Sequence, residues 1–278
     1  MLMGVRKSLI ISAIIAAFNV SVQAGGIETP VYPFSGAYLG VGLGPQFLFG
    51  KVASDVSTLV ATGVPVFLPH TAYFDSANPG FIGNLHFGYG HAFQNRLYLG
   101  GEVFGEWSTT NARIANSLLN FPFLAFYLNS IEAYKIRAQN AYGISFRPGL
   151  CPTEKSLMYL VLGYSATRLK VEGLVTGTIQ ASTPVDPPPP QPLAVITNNH
   201  HKTKSGFRVG FGTAFSLAQH WIFRLEYFYT GYARLQAPTI SASSIPIVQT
   251  IPIPVTQTAT YSVKMSAHTV MAHIDYLF

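Results

Sequence analysis

The chain has 278 residues, of which 49% are hydrophobic and only 10% are charged, whereas soluble domains carry about 25% charged residues. The formal net charge of +6 comes from residues scattered along the chain without a basic run, which argues against nucleic acid as a partner. Cys151 is the single cysteine of the sequence and lacks a reactive-cysteine motif around it, so we expect a buried or turn thiol rather than a nucleophile.

The first 24 residues have the three parts of a secretory signal peptide. Arg6 and Lys7 give the positive start, Leu9–Phe18 is the apolar core, and small residues lead to a cleavage site after Ala24. The core is too short to span a bilayer, which needs about 20 residues. The predicted mature chain, residues 25–278, keeps 15 basic and 11 acidic residues. An exported chain this apolar must place its hydrophobic residues in a core or in the wall of a barrel.

Apolar and polar residues alternate along much of the mature chain with the period of two that predicts β-strands. Eight segments show this alternation: Ala37–Phe49, Phe81–Phe93, Leu97–Thr109, Ile131–Arg147, Ser156–Val171, Gly206–Leu217, Trp221–Leu235 and Lys264–Phe278. In the fourth segment, the pattern predicts Tyr134, Ile136 and Tyr142 on the apolar face, with Lys135 and Arg137 opposite.

The connections between these segments alternate in length. The short ones are Gln94–Arg96, Pro148–Lys155 and Ala218–His220, and the long ones are Gly50–Gly80, Thr110–Ser130, Glu172–Ser205 and Gln236–Thr260. Short turns at one rim and long loops at the other are typical of an outer-membrane barrel. We therefore predict an all-β fold: one transmembrane antiparallel up-and-down barrel of eight strands, with short periplasmic turns and long extracellular loops. Ten strands are the alternative, if Val52–Phe74 forms a membrane hairpin of its own.

Aromatic residues are placed where a membrane barrel needs them. Trp221, Phe223, Tyr276 and Phe278 lie beside the short turns, as expected of an interfacial aromatic girdle.

The faces opposite the apolar ones carry equal numbers of acids and bases. These residues are Glu102, Glu106, Glu226 and Asp275, with Lys135, Arg137, Arg208 and Arg224. Charges removed from bulk water need partners, and side chains just fill the interior of an eight-stranded barrel. We expect a packed ionic network that pairs Arg224 with Asp275, Glu106 with Arg137, and Glu226 with His273. A charge-lined pore is the alternative.

No motif in the sequence is specific for catalysis or for a metal. Ser266 and His268 share one face of the last strand without a matching carboxylate. The predicted loops are more distinctive, because Asp186–Pro192 is proline-rich, Ala237–Val263 has no charged residue and Ser117–Asn129 is apolar. Exposed apolar surface usually marks a binding site, and packing of these loops on one another as extended hairpins is the alternative.

Four stretches, GAYLGVGLG, LYLGGEVFGEW, FRVGFGTAFSLAQHWIFRLEYFY and the terminal HIDYLF, together resemble the small eight-stranded outer-membrane barrels of Gram-negative bacteria. These are the opacity-protein, surface-antigen and outer-membrane-protein-A-like group. The resemblance implies that Ile274, Tyr276 and Phe278 form the signal read by the barrel-assembly machinery. It implies no enzyme activity and no cofactor, and it leaves the chain without the peptidoglycan-binding domain that some members carry.

The expected function is that of a non-enzymatic protein of the outer membrane with a plugged, salt-bridged interior. Its partners would be outer-membrane lipid, lipopolysaccharide and the assembly machinery, together with a host or matrix surface bound through the loops for adhesion or envelope integrity. A narrow porin or a channel for hydrophobic solutes is the alternative.

Overall fold

The computed structural model describes residues 33–60, 65–75, 79–123, 126–181, 189–192, 195–236, 239–248, 251–252 and 255–278. The predicted signal peptide and its cleavage site lie outside these ranges. The described residues form fifteen strands, numbered in chain order: β1 Gly36–Val60, β2 Pro65–Asp75, β3 Gly80–Ala92, β4 Leu97–Ser108, β5 Asn111–Phe123, β6 Phe126–Thr153, β7 Ser156–Ala181, β8 Gln191–Pro192, β9 Ile196–Ala218, β10 Trp221–Tyr232, β11 Leu235–Gln236, β12 Ile240–Ser244, β13 Ile247–Val248, β14 Ile251–Pro252 and β15 Val255–Leu277. The described residues contain no helix that is long and apolar enough to span a membrane.

Eight strands of the described chain close into an antiparallel ring in the order β1, β3, β4, β6, β7, β9, β10, β15 and back to β1. The ring closes where β15 pairs with β1, with Leu277 opposite Tyr38, and the Phe278 amide donates to the Ala37 carbonyl at 2.9 Å. The prediction of an eight-stranded up-and-down barrel is confirmed. The segment that the ten-strand alternative required, β2, pairs with the far half of β1 instead of entering the ring.

Three short turns form at one end of the ring, called the turn end below; the predicted turn Pro148–Lys155 is corrected to residues 154–155, because β6 continues to Thr153. Residues 94–95, 154–155 and 219–220 are turns, and the Arg96 amide donates to the Phe93 carbonyl at 3.0 Å. Arg96 adopts a positive φ of 69°, a left-handed conformation that a tight turn requires. Cys151 is buried beside these turns, as expected.

The four predicted long loops are largely strand, which corrects their assignment as loops. Ring strand β6 has 28 residues, although about 9–11 suffice to cross a bilayer when tilted. The shorter ring strands end earlier, and other strands take their place beside the far ends of the long ones. There β2 pairs with β1, β5 pairs with β6, and β11 and β12 pair with β15. This upper sheet is called the extension. Its threonines and β-branched residues favour continued pairing, so the ladder runs on past the membrane.

The outward face of the ring forms an apolar belt above the turn end. Its exposed side chains include Leu39, Val41, Leu43, Leu85, Phe87, Leu99, Val103, Tyr142, Ile144, Leu160, Leu162, Val209, Leu225 and Ile274. Inward neighbours of these residues are buried in strict alternation. An apolar wall with polar groups turned inward is the pattern of a barrel solvated by acyl chains.

Strand β6 carries a β-bulge that exchanges its two faces. Ala138 pairs with Leu169 of β7 while Ala141 pairs with Thr167, so two residues of β6 oppose one residue of β7. Below the bulge, Tyr142 points outward, and above it Ile136 is buried. The prediction that Tyr134, Ile136 and Tyr142 share one face is therefore corrected, because the extra residue breaks the period of two.

Side chains fill the ring interior in three layers. The turn-end cluster is apolar and consists of Phe34, Tyr38, Tyr98, Cys151, Leu157, Tyr159, Val161, Ala214, Ile222 and Leu277. The upper cluster, at the base of the extension, is also apolar and contains Leu48, Val52, Ala112, Tyr134, Ile136, Ala138, Leu169, Val171, Tyr232, Leu235, Tyr261, Val263, Met265 and Ala267. Charged residues lie between the two clusters.

Alanine substitution at an inward and at an outward glycine compares the packing of the interior with that of the outer face. A Cβ at Gly88 would overlap the Tyr38 ring, whereas a Cβ at Gly101, on the facing strand, meets nothing within 4 Å. We expect Gly88→Ala to lower the free energy of unfolding by about 1–3 kcal/mol through overpacking, and Gly101→Ala to change it by less than about 0.5 kcal/mol. Urea unfolding in lipid vesicles, read by heat-modifiable gel migration, measures both. Equal effects of the two substitutions would contradict the inward assignment of Gly88.

Candidate functional site: the buried ionic layer

The ionic layer lies between the turn-end and upper clusters and draws on six of the eight ring strands. Alternation along each strand turns the following residues inward: Asn84 and His86 from β3, Glu102 and Glu106 from β4, Arg147 from β6, Arg208 from β9, Arg224 and Glu226 from β10, and His273 and Asp275 from β15. All of them are buried. Because water is displaced from this space, each charge has to be matched by a neighbouring side chain.

Glu102 is the acid at which the two central guanidinium groups meet. Arg224 Nη1 donates to Glu102 Oε2 at 3.1 Å, and Arg147 Nη1 forms a second ion pair with the same oxygen. The Tyr38 hydroxyl donates to that oxygen at 3.2 Å. Three strands are thereby tied to β4 through one carboxylate.

Glu226 joins the central pair from the opposite side. Arg147 Nη2 donates to Glu226 Oε1 at 3.0 Å, and the Tyr159 hydroxyl donates to the same oxygen at 2.7 Å. His273 Nε2 lies 3.5 Å from Glu226 Oε2. Arg147 therefore bridges two carboxylates on different strands, and Arg224 also contacts both, with its Nη1 atom 3.5 Å from Glu226 Oε1.

Asp275 is held by Arg224 and His86. The Arg224 Nε and Asp275 Oδ2 atoms are 2.6 Å apart, and His86 Nε2 lies 2.8 Å from Asp275 Oδ1. His86 Nδ1 is 2.5 Å from Asn84 Oδ1, and Asn84 Nδ2 donates to Glu106 Oε1 at 3.4 Å. Asn84 thus links this centre to the second part of the layer.

The second part is a bidentate pair. Arg208 Nη1 donates to Glu106 Oε1 at 2.8 Å and Arg208 Nη2 to Glu106 Oε2 at 2.7 Å. The guanidinium group is enclosed by two aromatic rings, with its carbon 4.3 Å from the Phe104 centroid and 4.0 Å from the Phe228 centroid. Paired hydrogen bonds and aromatic faces are an environment that suits Arg better than Lys.

The four carboxylates of the layer exceed its three guanidinium groups by one. His86 and His273 both approach carboxylates, with the Nε2 atom of each ring within 3.5 Å of a carboxylate oxygen. Close partners of this kind matter because an unmatched charge in a low-dielectric interior costs several kcal/mol.

Six of the eight predicted network residues lie in this layer: Glu102, Glu106, Arg208, Arg224, Glu226 and Asp275. The predicted contacts of Arg224 with Asp275 and of Glu226 with His273 are present. Glu106 instead pairs with Arg208. This corrects its predicted pairing with Arg137, because the pairing register and tilt of the strands cannot be read from spacing alone.

Lys135 and Arg137 are not part of the layer. The bulge in β6 turns both outward at the base of the extension, where the Arg137 side chain is 41% exposed. Arg147, which the sequence reasoning omitted, occupies the interior with a side chain only 3% exposed. Its place was marked by Ser145, two residues earlier on the predicted polar face, but the adjacent predicted turn at Pro148 concealed it.

The residues predicted for the aromatic girdle and the assembly signal lie on the outward face at the turn end. The Tyr276 ring packs edge-on against Trp221, with centroids 5.2 Å apart, and against Phe278, at 5.3 Å. Phe223 and Ile274 are opposite one another on β10 and β15. Ser266 and His268 also face outward, and His268 Nδ1 lies 2.7 Å from the Tyr227 hydroxyl.

A small cavity lies within the described interior. Its volume is about 20 Å³, and it lies where the turn-end cluster meets the ionic layer, bordered by Tyr38, Arg147 and Arg224. That volume accommodates about one water molecule. Buried side chains of the three layers fill the lumen in the described part of the ring.

The two arginines of β6 give a matched comparison. Arg147→Gln removes one of the two cations that Glu102 and Glu226 share, and we expect a loss of about 3–5 kcal/mol in the free energy of unfolding. Arg137→Gln removes a half-exposed group at the base of the extension and should cost about 0–1 kcal/mol. Urea unfolding in lipid vesicles measures both. A larger loss for Arg137→Gln would contradict the exchange of faces at the bulge.

Comparison with known proteins gives one family. Residues 10–247 match the model of the outer membrane protein beta-barrel domain. Among curated proteins, none is a significant match to the sequence.

Several solved structures align with the chain at low similarity. Ail, the attachment invasion locus protein of Yersinia pestis, is 12% identical, with 83% of this chain and 99% of that chain covered and a TM-score of 0.29. OprG from Pseudomonas aeruginosa is 11% identical, with 90% and 99% covered and a TM-score of 0.32. Neisserial surface protein A is 14% identical, with 84% and 97% covered and a TM-score of 0.27. Values this low carry no information on function.

Proposed function

Because the chain belongs to the family of outer membrane protein beta-barrel domains, we propose that it is a sealed, non-enzymatic barrel that presents its extension at the cell surface for adhesion or for interactions that support the envelope. The observation that carries this proposal is the closed interior. An ionic layer bounded by two apolar clusters serves to hold the strands together and leaves no continuous lumen through the described ring.

The interior argues against the two other classes of function. Its carboxylates, guanidinium groups and tyrosine hydroxyls bond to one another, so the polar groups of the layer are used in pairing rather than held open for a substrate. Open channels in this class of barrel need about 16 strands, whereas eight-stranded barrels fill with side chains. A narrow porin and a barrel enzyme are both disfavoured for this reason.

The extension supplies the surface for an external partner. Described apolar side chains are exposed along it, namely Leu174, Val195 and Ile245. Such residues lie beyond the membrane, where contact of apolar surface with water is unfavourable in free energy. Apolar side chains held on a rigid sheet lose little entropy when a partner covers them. The side chains of the apolar segment Ser117–Asn129 lie outside the described residues, and its role stays a prediction.

The outward aromatic residues at the turn end are suited to barrel assembly and to anchoring at the membrane interface. Ile274, Tyr276 and Phe278 share the lipid-facing side of β15, and Trp221 and Phe223 face them from β10. We infer that the first three are read by the assembly machinery and that the aromatic rings then rest at the membrane interface. Amphipathic rings prefer that level of a bilayer.

Conductance tests the sealed interior. Purified protein reconstituted in a planar bilayer should give no steady openings, because the ionic layer and both apolar clusters block the lumen. A general porin reconstituted in the same preparation serves as the positive control. Steady openings of the wild-type protein, at a level comparable with the porin, would overturn the sealed barrel and favour the channel alternative.

Attachment tests the role of the extension. The triple variant Leu174→Ser, Val195→Ser, Ile245→Ser should reduce binding of expressing bacteria to epithelial cells or matrix protein at least about tenfold, since each loss of a buried apolar side chain weakens binding. The exposed polar positions Thr197 and Asn199, changed to Ser, provide the matched control. Unchanged attachment of the triple variant at equal surface expression would count against adhesion through these residues.

A further inference from the structure

The outward face just above the apolar belt carries a concentration of positive charge, called the basic patch. It consists of Arg113 on β5, Lys135 and Arg137 on β6, and Arg168 and Lys170 on β7, with Glu172 as the one acid among them. Residues paired across an antiparallel ladder share a face, and Arg113 is opposite Lys135 while Arg137 is opposite Lys170. Five cations and one carboxylate give the patch a net charge of +4.

The patch places like charges directly opposite one another. Side chains in such positions have Cβ atoms about 4.5–5.5 Å apart, and like charges there destabilise a sheet. Glu172 offsets only part of the repulsion, with its Oε1 atom 2.6 Å from Lys170 Nζ and its Oε2 atom 4.0 Å from Arg137 Nη2. The hydrogen bond from Lys170 lowers the pKa of Glu172, so this acid stays ionised. Its single charge cannot balance five cations.

The same arrangement recurs on the other side of the ring. Lys51 on β1 is directly opposite Lys264 on β15, and both point outward because their inward neighbours Val52 and Met265 are buried. Phe49, two residues below Lys51 on the same face, is an exposed member of the apolar wall. Cations therefore follow directly on the wall residues at two positions around the barrel.

The height of the basic patch matches the headgroup region of the membrane. On β7, Arg168 lies four residues above Tyr164, an exposed aromatic residue of the wall, a distance of about 13 Å along the strand. Because strands of such barrels are tilted by about 35–45°, the rise along the barrel axis is about 10 Å. Headgroups begin immediately above the acyl region, so cations about 10 Å above an aromatic residue of the wall are within reach of lipid phosphates.

We propose that the basic patch binds the phosphate groups of the glycolipid in the outer leaflet, with Arg137 and Lys170 as its central contacts. The phosphates would supply the negative charge that the paired cations lack, and Arg can hold a phosphate through two parallel hydrogen bonds. The inference concerns the lipid around the barrel and does not depend on what the extension binds.

The test uses the full folded protein in detergent, titrated with bisphosphorylated lipid A and with the same lipid after removal of its phosphates. Native mass spectrometry measures the bound fraction. The double variant Arg137→Gln, Lys170→Gln should weaken binding of bisphosphorylated lipid A about 25-fold, since each cation near an anionic surface contributes about fivefold. The wild-type protein should bind dephosphorylated lipid A as weakly as the double variant binds bisphosphorylated lipid A.

Two further variants make the result decisive. Lys202 and Lys204 pair with Leu169 and Thr167, which are buried, so they lie at the same height on the opposite face. Their double change to Gln is the matched control and should alter binding less than about twofold. Glu172→Gln removes the acid of the patch and should strengthen binding about threefold or more.

Several outcomes would overturn the proposal. These are equal losses in the two double variants, equal binding of both lipids by wild-type protein, or complete displacement of the lipid by excess inorganic phosphate, which would indicate a site for a free anion. Heat-modifiable gel migration establishes that each variant is folded. If Arg137→Gln, Lys170→Gln does not fold, Glu172→Gln and the dephosphorylated lipid still decide, and unchanged binding in both rejects the site.

Discussion

The barrel depends on the pairing of four carboxylates with three guanidinium groups in a space without bulk water. Arg147 reaches Glu102 from the neighbouring strand β6, and Arg224 reaches it across the interior from β10, which is not a neighbour of β4 in the ring. Each strand must therefore present its inward face at the correct register, because a slip by one residue would turn a charged side chain into the lipid. Ring closure, strand register and charge neutralisation are parts of one requirement.

The apolar clusters above and below the ionic layer explain why that requirement is strict. Phe34, Leu157 and Leu277 close the turn end, and Leu48, Ile136 and Leu169 close the upper end. Water that could solvate a stray charge is excluded from both sides, which strengthens each ion pair and raises the cost of losing one partner. Apolar packing and ionic pairing here support each other rather than compete.

The sequence predicts the parts of this structure that follow from a period of two. Alternation predicts an apolar wall, on which Leu85, Val103 and Leu225 are exposed, and it predicts Glu102, Arg208 and Arg224 on the inner face. Partner choice could not be predicted, because Glu106 meets Arg208 only through the register and tilt of several strands. Lys135 and Arg137 were misplaced because a bulge has no clear signature in this segment. The strand content of the extension was underestimated, since local composition indicates β-structure but not where pairing stops.

The bulge between Ala138 and Ala141 divides β6 into two segments with opposite patterns of inward and outward residues. Before it, the odd-numbered residues with described side chains face outward and the even-numbered ones face the core; after it, the odd-numbered residues face the core and the even-numbered ones face acyl chains. The two halves of this strand thus follow opposite alternation patterns, each suited to a different solvent, and a single extra residue separates them. Inserting or deleting one residue at this point would exchange the inward and outward faces on one side of it, whereas a change of two residues would preserve both patterns.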